Sequence, residues 1–123
     1  MERMLQFKKS FSHACNGLRY ALRHEKNFQT EIALAFIVII AMIYFRVTRA
    51  EAIILSLIIA GVLVMELFNT VVERVVDILK PRIHPYARLI KDLMAAGVLV
   101  VSILAVIVGI LIFFPYVTGL FSN

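Results

Sequence analysis

The run MELFNTVVERVVD, residues 65–77, holds the side chains of this protein best suited to chemistry. Glu66, Asn69, Thr70, Glu73 and Asp77 stand at helical offsets 0, 3, 4, 7 and 11. At about 100° per residue these positions share one arc of about 100°. One helix face thus carries three carboxylates, a carboxamide and a hydroxyl, with Leu67, Val71, Val72, Val75 and Ile78 opposite. The stretch directly before it, AIILSLIIAGVLV (52–64), is apolar enough for lipid. Acids at such a level cost ~2.5–3.5 kcal/mol each on insertion scales, so their presence argues for function. Several together repel unless a cation or a proton joins them. Their hard oxygens suit Mg²⁺, which is commonly held by one or two protein carboxylates together with substrate phosphates. An acid left free of metal can accept the proton of a lipid hydroxyl.

Other polar residues fall at the same level. Glu25 and Glu31 flank the start of the first apolar segment, and Lys91 and Asp92 stand just before the last. A lysine there can hold phosphate oxygens as a point charge. The set suits phosphoryl transfer onto a lipid. It equally suits an ion or proton path through a small transporter or channel, and spacing and charge leave the two level. For Glu31, Glu51, Arg82 and Arg88, solvation of a helix end is the plainer reading. The same holds for pairs such as Glu73 with Arg74 and Asp77 with Arg82. No G-x-x-x-x-G-K-[ST] loop is present, and His13, His24 and His84 lack metal-ligand spacing. His84 precedes Pro85 at a helix start, where a phosphate can meet free backbone N–H groups, though a plain loop histidine also fits.

The elements that must carry these residues follow from patterning. The chain has 123 residues, 62% of them hydrophobic, well above the soluble average, which points to one membrane domain spanning 1–123. Residues 4–22 place Met4, Phe7, Phe11, Cys15 and Leu18 on one stripe beside a basic flank, the pattern of a helix lying in the membrane interface. Cys15 is expected there as a small buried thiol. The basic residues interleave with that stripe, so a membrane surface, not nucleic acid, is the expected partner. Charges throughout this region exclude a signal peptide.

Three spans are predicted, at about 28–46, 49–79 and 85–114, giving an all-α membrane protein. Asn27 is expected to cap the first. Thr48-Arg49-Ala50-Glu51 fits a capping box for the second. Pro115 is expected to end the third. Eleven Lys/Arg lie in the N-terminal region and around residues 74–91, against two between the first two spans and none after Lys91. This puts the N-terminus and the acid-bearing level in the cytoplasm of a multi-pass membrane protein.

The strings ELFNTVVERVVD (66–77) and KDLMAAGVLV (91–100) resemble the bacterial integral-membrane diacylglycerol kinase family, whose pattern is E-x-x-N-[ST]-x-x-E-x-x-x-D followed by K-D-x-x-[AS]-A-x-V-L. HEKNFQTE (24–31) is similar to the family's acid-bearing segment before the first span. FKKSFSHACNGL (7–18) and HPYARLIKD (84–92) look closer to the Gram-positive branch, whose members often phosphorylate undecaprenol. The resemblance implies a homotrimer in the bacterial cytoplasmic membrane, with active sites between subunits. It implies transfer of the γ-phosphate of ATP to a lipid alcohol with Mg²⁺, undecaprenol first and diacylglycerol second. Carried over by motif, Glu66 would be the general base, supported by Asn69. Glu25 and Glu73 would hold Mg²⁺ and the nucleotide phosphates. Lys91, Asp92 and Asp77 would line the nucleotide site, with Arg82 and His84 beside it. Asn27 and Glu31 would border the lipid. At the place of the family's N-terminal nucleotide-side basic residue stands Gln6, with Lys8 and Lys9 close by.

Overall fold

A computed structural model describes residues 1–79 and 85–121. Its described residues form four α-helices: α1 (Glu2–His24), α2 (Lys26–Phe45), α3 (Arg49–Ile78) and α4 (Pro85–Phe121). The last three are long and apolar enough to cross a membrane. At ~1.5 Å per residue, the 30 residues of α3 reach about 45 Å. That exceeds the hydrocarbon core of about 30 Å, so one end projects.

The α2–α3 turn is built by local chemistry. Arg46 takes a left-handed conformation (φ 51°, ψ 49°) that closes α2. Thr48 then caps α3: its hydroxyl accepts from the Glu51 N–H, and the Glu51 carboxylate accepts from the Thr48 N–H at 2.8 Å. The capping box expected from the sequence is therefore present. A three-residue connection turns α3 antiparallel to α2. At the same end α4 is pinned: Tyr116 donates to Glu51 Oε2 at 2.6 Å, and Phe45 packs on Phe113 and Tyr116. So α4 runs antiparallel to α3, and the acids of α3 lie at the opposite end. Where the two helices pack, a Cβ at Gly97 would come to 3.0 Å from Met65 Cε, the flexible tip of a side chain on α3.

Three local expectations are corrected. First, Asn27 does not cap α2. Glu25 stands at that position in extended conformation (φ −105°, ψ 105°), and Asn27 lies within the first turn, its side chain facing Glu66. Second, α4 does not stop at Pro115 but continues to Phe121. Thr118 donates its hydroxyl to the carbonyls of Phe114 and Pro115, and an apolar segment has no better place than a helix for its backbone groups. Third, Cys15 is exposed, not buried. Of α1 only Ala21 is buried, so its apolar stripe, including Phe7 and Phe11, has no partner within the chain.

The same holds along the spans. The buried apolar side chains among the described residues are Ala21, Phe28, Ala35, Leu55 and Val76, and none belongs to α4. The apolar surface of α2, α3 and α4 is left for lipid or for other subunits.

Candidate active site

The polar stripe of α3 turns inward as it leaves the apolar segment. Glu66 is 3% exposed, Asn69 6% and Thr70 8%, the three buried polar residues of the described chain. Further along, Glu73 is half-buried and Asp77 is exposed. The gradient follows from geometry: the stripe faces α2 where the helices pack and leaves their cover towards the end of α3.

Three neighbours bring further charges to Glu66. Glu25, at the α1–α2 break, and Glu73, two turns further along α3, both lie within its electrostatic reach, as does Glu31. The Asn27 side chain is a polar neighbour of the Glu66 carboxylate. The Asn69 amide donates to Glu73 Oε1 at 3.3 Å, and its Oδ1 is buried with no partner. Within one chain, Asn69 thus steadies Glu73 while Asn27 steadies Glu66. Glu25, Glu31 and Glu73 each act on Glu66 although the four arise from three separate segments of sequence, at 25, 31 and 66–73.

Glu31 is not the solvated helix-end acid that the sequence favoured. Its Oε2 is buried without a hydrogen-bond partner. The residue heads an apolar cleft of about 190 Å³ between α2, α3 and α4, walled by Ala35, Leu55, Val62, Ser102 and Gly109 among others. A buried acceptor left unpaired costs about 1–3 kcal/mol, which a donated hydroxyl would recover. Glu51 is not a solvating acid either, since it closes the cap and receives Tyr116.

At the positions expected to face nucleotide, Lys91 Nζ holds Asp77 Oδ1 at 2.6 Å and ties the start of α4 to the end of α3. Asp92 is exposed next to it. Arg74 pairs with Glu25 at 2.6 Å and not with its neighbour Glu73. Arg82 and His84 lie outside the described residues, and with them the expected Asp77–Arg82 pair. Arg74, Tyr20 and the Glu51–Tyr116 bond are what sequence reasoning missed. Arg74 sits off the acid stripe, and each of these contacts joins residues far apart in the chain.

Among the described residues no group of three or more acidic, histidine or cysteine side chains forms a metal cage. Glu25 and Glu73 do offer two hard carboxylates within electrostatic reach of Glu66. That donor set fits an ion that takes its remaining ligands from substrate phosphates and water.

A family model described as prokaryotic diacylglycerol kinase matches residues 12–113. The chain is 38% identical over 110 residues to an undecaprenol kinase of Bacillus subtilis, covering 89% of each protein. It is 35% identical over 101 residues to a diacylglycerol kinase of Synechocystis, covering 81% of this chain and 58% of that relative.

Proposed function

The chain belongs to the prokaryotic diacylglycerol kinase family and is a lipid kinase, a phosphotransferase with an alcohol acceptor; from that premise we propose that its substrate is undecaprenol, with diacylglycerol second. Family membership removes the tie with an ion-coupled transporter. Two observations support the choice of lipid. The undecaprenol kinase relative matches over nearly the whole of both chains. The cleft below Glu31 offers Ser102 as its one hydroxyl among otherwise apolar walls. A prenyl chain asks for nothing more, whereas the two ester carbonyls of a diacylglycerol would have that single donor between them.

The observation that carries the site is the burial of Glu66 within reach of the charges of Glu25, Glu31 and Glu73, of which Glu31 lines that cleft. In the reaction, an alcohol reaching Glu31 from the cleft presents its hydroxyl to Glu66. Glu66 accepts the proton as the alcohol oxygen attacks the γ-phosphorus of ATP, and the bond to the β-phosphate oxygen breaks to leave ADP. Asn27 keeps the base aimed. Glu25 and Glu73 would hold Mg²⁺, which when bound neutralises the phosphate oxygens. Lys91, Asp92 and Asp77 would receive the nucleotide, with Arg82 and His84 beside it. Positioning and charge neutralisation supply most of what phosphoryl transfer requires.

The whole of 1–123 acts as one kinase domain, N-terminus and acid end in the cytoplasm where ATP is. The working unit is a homotrimer. The unburied α4 and the exposed Asp92 support this, since each leaves surface for a second copy. Native mass spectrometry in mild detergent is expected to show three chains; a monomer as active as the membrane-embedded protein would remove the trimer.

Transfer of radiolabelled γ-phosphate to the two lipids, assayed in parallel in mixed micelles, tests the substrate. The expected result is a kcat/KM for undecaprenol at least about tenfold above that for diacylglycerol, the discrimination of one unpaired polar group. A preference for diacylglycerol would reverse the assignment.

A further inference from the structure

Arg74 makes a contact that the reaction as drawn does not use. Its Nη2 lies 2.6 Å from Glu25 Oε1, joining α3 to the α1–α2 break across 49 residues. Its guanidinium rests 5.9 Å from the centre of the Tyr20 ring, and that ring stacks on His24 at 4.5 Å. The partners differ in exposure: the Glu25 side chain is 16% exposed and that of Arg74 54%. A sheltered carboxylate is therefore held by a side chain that can leave into water. Glu25 also belongs to the group of acids around Glu66, whose mutual repulsion needs a positive charge close by.

We propose that Arg74 is a positioning residue that stands in for a divalent cation: it holds Glu25 in place while the site is empty and competes with the incoming ion for the same carboxylate. The proposal rests on the assignment of Glu25 to the ion. Guanidinium and divalent ion seek the same oxygen, and the ion pair must open, or share its carboxylate, before Glu25 can ligate. Tyr20 gives the guanidinium a place to remain once it has let go, since the face of an aromatic ring attracts a cation. Lysine in place of Arg74 keeps the charge and much of the reach, so it would compete in the same way.

Mn²⁺ binding to the full-length protein in detergent, without nucleotide or lipid, reads this directly through the electron paramagnetic resonance signal of the free ion. Arg74→Ala is expected to tighten Mn²⁺ binding about fivefold, the exchange of one partly exposed ion pair. Arg74→Lys should stay within about twofold of the parent. Arg88→Ala, which removes an equal charge from the exposed first turn of α4, controls for net charge and should also stay within about twofold. In a purely structural role, loss of Arg74 would weaken binding by letting Glu25 drift, and that result overturns the proposal. So does an Arg74→Ala effect no larger than that of Arg88→Ala. Glu25→Gln separates the premise from the inference. If it leaves Mn²⁺ binding intact, Glu25 is no ligand and the premise falls. If it weakens binding while Arg74→Ala does not tighten it, only the competition falls.

Discussion

Replacing Glu66 by Gln is expected to slow phosphoryl transfer by about 10²–10⁴-fold, the usual contribution of a positioned general base. Binding of Mg-ATP should stay within about twofold, because in the proposed arrangement the ion is held by Glu25 and Glu73. Gln has the shape of Glu and fits the same buried place, where 3% exposure leaves little room for change. It takes one negative charge out of a group that also contains Glu25, Glu31 and Glu73. The folded protein should therefore be no less stable in detergent than the parent, which separates a lost proton acceptor from a damaged fold. Single-turnover transfer from radiolabelled ATP, with nucleotide binding measured alongside, checks the prediction. Transfer at the parental rate would remove Glu66 as the base.

Glu73→Gln is expected to act at a different step. It removes a charge from the proposed divalent site while keeping an oxygen that can still accept the Asn69 amide, now at 3.3 Å from Glu73 Oε1. Packing around the half-buried residue should survive. Binding of Mg-ATP should weaken by about two orders of magnitude, the upper range for disturbing a metal's surroundings. Raising Mg²⁺ at constant ATP should restore part of the rate, whereas no amount of Mg²⁺ should restore Glu66→Gln. A titration in which the Glu73 variant needs no more Mg²⁺ than the parent would take Glu73 out of the divalent site. Together the two variants separate proton removal from charge neutralisation.

Local patterns in the sequence determined much of this protein. The stripe from Glu66 to Asp77 was legible because helical periodicity is a property of neighbours, and so was the Thr48–Glu51 cap. Three long apolar helices follow from composition, because a backbone in hydrocarbon satisfies its polar groups within its own helix. The same rule explains why the sequence misjudged Pro115: a missing N–H breaks a helix readily in water, but in lipid the chain has no competing partner for its carbonyls.

What only the tertiary structure decided is which distant residues meet. Asn27 could be read as a cap until α2 packed on α3 and brought its amide to Glu66. Glu31 could be read as a solvated acid until the cleft closed around its Oε2. Glu25 with Arg74, 49 residues apart, and Glu51 with Tyr116, 65 apart, leave no trace in spacing. Periodicity states which face of a helix a side chain occupies. Packing alone states what that face meets, and whether a charge there ends in water, against a cation, or buried without a partner.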